Sequence, residues 1–156
     1  MNQIKKKKFL VNAATREVKQ LSALSQKNFI YSFKTNIPSE LELCGNKALF
    51  QEILFHLINN ASKAYQDSLT NRIILITSQI ENEKELSISV THGGKGLSFL
   101  QKKLITQIAF IFKEDQTNLN IYQTNQAIKK FFNGHIKIIS QKNKGTTIKC
   151  YFPLSQ

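Results

Sequence analysis

Between Asn46 and Tyr65 the chain carries its strongest apolar stripe of helical period. Leu49, Ile53, Leu57 and Ala61 recur four residues apart, with Phe50, Leu54 and Ile58 beside them. A face this wide is stable only against a second apolar layer. Asn46 is placed to cap the helix, because its side-chain oxygen can accept an otherwise unpaired amide of the first turn. The segments around the helix have a different period. Phe29, Tyr31 and Phe33 alternate with polar neighbours. Leu86, Ile88 and Val90 face one way, while Ser87, Ser89 and Thr91 face the other. Ile148, Cys150 and Phe152 alternate again.

Read in order, the chain predicts a short edge strand at Phe9 to Val11, then a helix capped by Asn12 and running to about Ser25. A strand through Phe29 to Phe33 and a short strand at Leu41 to Leu43 precede the long helix. Two strands follow, Arg72 to Ile80 and one through Leu86 to Val90, joined by a polar turn at Glu81 to Lys84. Gly93, Gly94 and Gly96 then make a loop that holds three of the chain's six glycines. A helix over Phe99 to Phe110, a polar stretch from Lys113 to Asn120 and a helix from Tyr122 to Phe132 come next. Asn133-Gly134 stops that helix. A hairpin turning at Lys142 to Gly145 closes the chain. This order predicts an α/β two-layer sandwich of the α+β kind, with one mixed, mostly antiparallel sheet and helices packed on one face.

The 156 residues, 41% of them hydrophobic, suit one domain over residues 9–156 after a basic leader at residues 1–8. No apolar run approaches the length of a membrane span, and Phe9-Leu10-Val11 is too short for a signal-peptide core. The expectation is a cytoplasmic chain without membrane contact of its own. Cys44 and Cys150 are then expected to be buried, reduced thiols. The net charge of +12 raises the question of nucleic acid. Only Arg16 and Arg72 are arginines among the 22 basic residues, and the lysines are scattered. Specific recognition of phosphates and bases leans on arginine forks, so no specific nucleic-acid partner is expected.

Four segments together resemble the histidine-kinase ATPase domain, of the fold shared with gyrase and mismatch-repair ATPases. The resemblance runs from Phe9 to Pro153. Leu49 to Ala64 resembles the helix whose polar face meets the triphosphate. Asn60 matches the residue that coordinates Mg²⁺ in that family, and Lys63 matches a basic residue near the phosphates. His56 lies one turn before Asn60, on the same face, and is the candidate catalytic residue. Ile88 to Leu97 resembles the strand and glycine turn that hold adenine. Gly94 and Gly96 are retained, but His92 stands where the family has the Asp that accepts from the adenine amino group. Phe110 to Tyr122 resembles the segment that closes over the nucleotide. Lys113 and Thr117 match it, while Gln116, Asn118 and Asn120 occupy positions where the family has glycine. Ala127 to Ile136 and Lys144 to Ile148 resemble the closing helix and hairpin, and His135 is expected to be an exposed strand residue.

The resemblance implies ATP and Mg²⁺ as cofactors. The candidate cofactor-binding residues are then Asn60, Lys63, His92, Gly94, Gly96, Lys113, Thr117, Asn118 and Asn120. It also implies two partners, a helical-hairpin domain bearing the phosphoacceptor histidine and a response regulator. None of His56, His92 and His135 is followed by an acidic residue, as a phosphoacceptor would be. The chain by itself is therefore expected to be monomeric and not to phosphorylate itself. Because the departures cluster in ligand-facing motifs, the implied function is the ATP-binding domain of a sensor histidine kinase with nucleotide binding weakened or lost. The alternative is a non-enzymatic domain that docks a kinase helical hairpin or a response regulator, with the helix near Phe99 to Phe110 as its surface.

Overall fold

The structure is a computed structural model that describes residues 6–25, 29–65, 72–94, 121–141 and 143–154. Seven strands and three helices follow one another in these residues. They are β1 (Lys7–Leu10), α1 (Val11–Ser25), β2 (Ile30–Asn36), β3 (Glu42–Gly45), α2 (Lys47–Lys63), β4 (Ile73–Glu81), β5 (Glu85–His92), α3 (Ile121–Phe132), β6 (His135–Gln141) and β7 (Gly145–Pro153).

Five strands form one mixed sheet in the order β2-β4-β5-β7-β6. All pairings in it are antiparallel except β2 with β4, which run parallel. β1 and β3 pair antiparallel in a separate two-stranded sheet. That small sheet is an addition to the single sheet expected. Along the large sheet one face is buried: Ile74 and Ile76 on β4, Leu86, Ile88 and Val90 on β5, and Ile148, Cys150 and Phe152 on β7. α2 lies over β4 and β5, and α3 over β6 and β7. α1 packs beside α2, where Lys47 Nζ meets Glu17 Oε1 at 2.9 Å and Gln51 Nε2 donates to Ala14 O at 3.3 Å. The predicted two-layer architecture is therefore the observed one.

Local chemistry explains the start of α2 and the end of α3. Asn46 caps α2, its side-chain oxygen accepting Leu49 N at 3.0 Å. Asn12 does not cap α1. The helix begins one residue earlier, at Val11, whose amide is satisfied by Leu41 O at 3.0 Å. α3 ends as expected at Asn133-Gly134, with the two residues in different roles. Asn133 takes the left-handed conformation (φ 56), and the amides of Asn133 and Gly134 close back on Lys129 O and Ile128 O. Gly134 is needed for space, since a Cβ there would overlap the Tyr151 carbonyl. Cys150 is buried as expected, and apolar burial pushes its thiol up to about 12; Cys44 is only half-buried, and both are free.

The other sheet face is mixed, with exposed Ile30, Ile73 and Ile139 among its polar residues. On it, Lys149 pairs with Glu81, which also accepts from Gln79 Nε2 at 3.0 Å and Ser87 Oγ at 2.9 Å. The Lys149 contact, then Gln79 and Ser87, hold the Glu81 carboxyl down to about 2. A carboxyl that is more acidic in the folded than in the unfolded chain contributes stability above its ordinary 4.5. That contribution is lost as pH falls from there toward about 2. Glu81 is 24% and Lys149 20% exposed, so solvent screening limits the pair to about 1 kcal/mol. Urea unfolding of Glu81→Gln should show that deficit at neutral pH and a shrinking one below pH 4.5. A deficit unchanged by pH would contradict the assignment. His135 is exposed, as expected, and stacks on Tyr151 with ring centroids 4.5 Å apart.

Candidate functional site

α2 buries Phe50, Ile53, Leu54, Leu57, Ile58 and Ala61 against the sheet. Its helical period then sends His56, Asn60 and Lys63 to another side, at spacings of four and three residues. His56 and Asn60 are half-buried and Lys63 is exposed. His56 Nε2 lies 3.6 Å from Glu52 Oε1, one turn back. Its Nδ1 is buried without a hydrogen-bond partner among the described residues.

The end of α2 and the turn after β5 come together. Tyr65, just past the helix, is 6% exposed. Its hydroxyl donates to Ile73 O at 2.5 Å and accepts from Gly93 N at 2.7 Å. One side chain therefore ties the helix end both to the start of β4 and to the residue after His92. Gly94 packs against the same helix end: a Cβ there would stand 2.6 Å from Ala64 O. The missing side chain thus lets the turn approach α2. Gly145, at φ 99, lies under the same turn, where a Cβ would overlap the His92 carbonyl oxygen.

Tyr65→Phe removes both bonds and leaves a carbonyl and an amide to find water. The expected cost is about 1–3 kcal/mol in chemical unfolding, with faster hydrogen exchange at Gly93. Unchanged exchange at Gly93 would show that the hydroxyl does not hold the turn.

His92 ends β5 on the buried face and is 8% exposed. Its Nδ1 accepts the Gly94 amide at 3.2 Å, and its ring meets Tyr65 edge-on, with centroids 5.8 Å apart. Desolvation by burial lowers its pKa from the ordinary 6.5, which favours the neutral ring.

The structure thus brings His56, Asn60 and Lys63 onto one helix, and His92 and Gly94 against the end of that helix. Gly96, Lys113, Thr117, Asn118 and Asn120 lie outside the described residues, as does the helix expected over Phe99 to Phe110. Sequence reasoning missed Tyr65 and gave Gly145 only a turn role. A tyrosine directly after an amphipathic helix was the available signal, since a buried phenol needs partners for its hydroxyl. Among the described residues no three His, Cys, Asp or Glu side chains gather to hold a metal ion. No helix among them is long and apolar enough to cross a membrane.

Known proteins share this fold. No curated protein sequence matches the chain. Among solved structures, the catalytic domain of histidine kinase ThkA superposes with a TM-score of 0.80 at 22% identity, covering 97% of each chain. The mycobacterial sensor histidine kinase MprB gives 0.77 at 11% identity, over 96% of this chain and 97% of that one. ThkA in complex with the response regulator protein TrrA gives 0.74 at 20% identity, over 96% of this chain and 42% of that one. At these identities the likeness establishes the fold. The family model described as histidine kinase-, DNA gyrase B-, and HSP90-like ATPase matches residues 45–156, most of the chain. Because this match spans more than half of the chain, the chain belongs to the histidine kinase-, DNA gyrase B- and HSP90-like ATPase family.

Proposed function

We propose that this chain is the nucleotide-site domain of a sensor histidine kinase acting in two-component signalling, with weakened affinity for ATP and Mg²⁺. The observation that carries the reading is the occupied acceptor of His92. Its Nδ1 already takes the Gly94 amide, so the ring has no lone pair left for the amino group of adenine. The Asp that stands there in the resembling proteins is an acceptor through both oxygens.

The rest of the site suits a triphosphate better. The Asn60 carboxamide oxygen is a hard ligand suited to Mg²⁺, which keeps several waters and shares phosphate oxygens. The lack of a carboxylate and imidazole cage among the described residues agrees with a metal held jointly with phosphate. When bound, Mg²⁺ neutralises phosphate charge. Lys63, exposed on the same side of α2, adds a further cation. His56 stands one turn before Asn60, with Glu52 Oε1 3.6 Å from its Nε2. Its role would be to position or deprotonate a group at the phosphate end. In sequence, Asn118 and Asn120 stand at positions where the resembling proteins have glycine, the residue that lets phosphates approach a backbone closely. The partners are a helical hairpin that offers the phosphoacceptor histidine and a response regulator.

Calorimetry of the chain with Mg²⁺ and ATP tests this. The expected dissociation constant is roughly 1 mM or weaker, about 4 kcal/mol of binding. His92→Asp with Asn118→Gly and Asn120→Gly should tighten it about tenfold or more. Micromolar binding by the unaltered chain would sink the weakened-site reading.

A further inference from the structure

We propose that the cleft between α1 and β2 binds a small phosphate monoester, at a place separate from the nucleotide site. None of the residues lining this cleft belongs to that site, so the two stand or fall separately.

At the β2 edge of the sheet a cleft of about 270 Å³ opens between α1, β2 and β4. That is room for about nine waters, just below the ~300–1,000 Å³ of pockets that enclose drug-sized ligands. A ligand that fits it is small. Buried Ile76 and half-buried Phe33 give the cleft an apolar base. Three cations line it, Arg16 and Lys19 on α1 and Lys34 on β2. No acidic side chain does so among the described residues. None of the three cations forms an ion pair with a described residue either. Glu17, next to Arg16 in the chain, is turned to α2, where Lys47 Nζ and Gln51 Nε2 hold it at 2.9 and 2.5 Å. Lys19 Nζ lies over the Phe33 ring, 5.2 Å from its centroid. The cleft therefore concentrates positive charge that its described walls leave uncompensated. The planar Arg16 fork can take two oxygens of one anion.

The neutral polar groups favour the same ligand polarity. Ser78 Oγ donates to Thr35 Oγ1 at 3.0 Å, and Thr35 Oγ1 donates to Asn12 Oδ1 at 3.4 Å. Thr15 Oγ1 donates to Val11 O at 2.8 Å. The hydroxyl protons are thus committed within the fold. Asn12, which does not cap α1, must turn its carboxamide oxygen to Thr35, and its amino group is left as a donor without a described acceptor. The hydrogens still unused in the cleft are those of Asn12, Arg16, Lys19 and Lys34, donors all. Their complement is an acceptor with more than one negative charge. A phosphate monoester carries about −1.5 to −2 charges at neutral pH and three strong acceptor oxygens. Its carbon body can lie on Phe33 and Ile76.

Phenyl phosphate, titrated into the nitrogen-15-labelled full chain and followed by NMR, tests this. It should shift the side-chain signals of Asn12 and Arg16 and the amides of Phe33 and Thr35, with a dissociation constant of roughly 1 mM. Benzoate keeps the ring with one charge, and inorganic phosphate keeps the charge without the ring. Each should bind about tenfold more weakly. Either one binding as tightly as phenyl phosphate overturns the proposal. Arg16→Gln should weaken phenyl phosphate about tenfold, and Arg16→Lys by less, since it loses the fork and keeps the charge. Lys137→Gln removes an exposed cation from β6, at the opposite edge of the sheet, and should change nothing. An equal loss in that variant would mean that binding follows net charge alone, and the proposal fails. Shifts centred on Asn60 and Lys63, with Asn12 and Arg16 unmoved, also overturn it and leave the nucleotide reading intact.

Discussion

Phe50→Ala should lower stability by about 3–5 kcal/mol, which would leave little of a typical domain's reserve. Phe50 is fully buried on α2 and sits at the junction of three elements. Its ring lies 5.2 Å from Phe9 on β1, 5.2 Å from Phe152 on β7 and 6.4 Å from Phe132 on α3. Truncation removes the apolar area of the ring and leaves a cavity walled by three other aromatics. Those walls belong to separate elements, so no single shift can close the gap. In a thermal melt the loss should appear as a fall of roughly 10 °C. Phe50→Leu keeps much of the volume and should cost about 1–1.5 kcal/mol. A fall under about 3 °C for the alanine variant would mean that this aromatic cluster is not where the layers are joined.

Gly145→Ala should cost about 3 kcal/mol and disturb the candidate site along with the fold. Two effects add. At φ 99 an alanine backbone is strained by about 1–3 kcal/mol. Its Cβ would also overlap the carbonyl of His92, a backbone atom that cannot swing away. Since Gly145 presses on the His92–Gly93 peptide, relief of the clash must move the turn whose amides bond His92 Nδ1 and the Tyr65 hydroxyl. The expected signature is a lower melting temperature together with shifted amide resonances at Gly93 and Gly94. A destabilised variant with unmoved Gly93 and Gly94 signals would show that the hairpin relaxes without the site.

Element types were legible because their signals are local. The four-residue recurrence from Leu49 to Ala61 became α2, and alternation at Leu86, Ile88 and Val90 became the buried face of β5. Asn46 was readable as a cap because its partner, Leu49 N, is three residues away. Asn12 offered the same residue type in the same setting and does not cap. The deciding bond there, Val11 N to Leu41 O, spans thirty residues of chain and leaves no local trace. The parallel pairing of β2 with β4 was equally hidden, since alternation in Phe29 to Phe33 is the same for either direction. The site was half legible. Spacing placed His56 and Asn60 on one helix side, the resemblance added Lys63, and Gly94 and Gly96 were read as matches to the family's glycine turn. That Gly93 and Gly94 meet Tyr65 and the end of α2 came only with the fold.

From its sequence alone this chain settled its layers, its helix and strand periods and its family likeness, because each is carried by residues within a few positions of one another. The tertiary structure alone decided that Tyr65 fastens three elements and that one nitrogen of His92 is occupied. The physical reason is that a side chain's hydrogen-bonding polarity in the fold depends on which groups surround it. For His92 those groups come from β5's own turn, the end of α2 and the β6–β7 hairpin, brought together from distant parts of the chain.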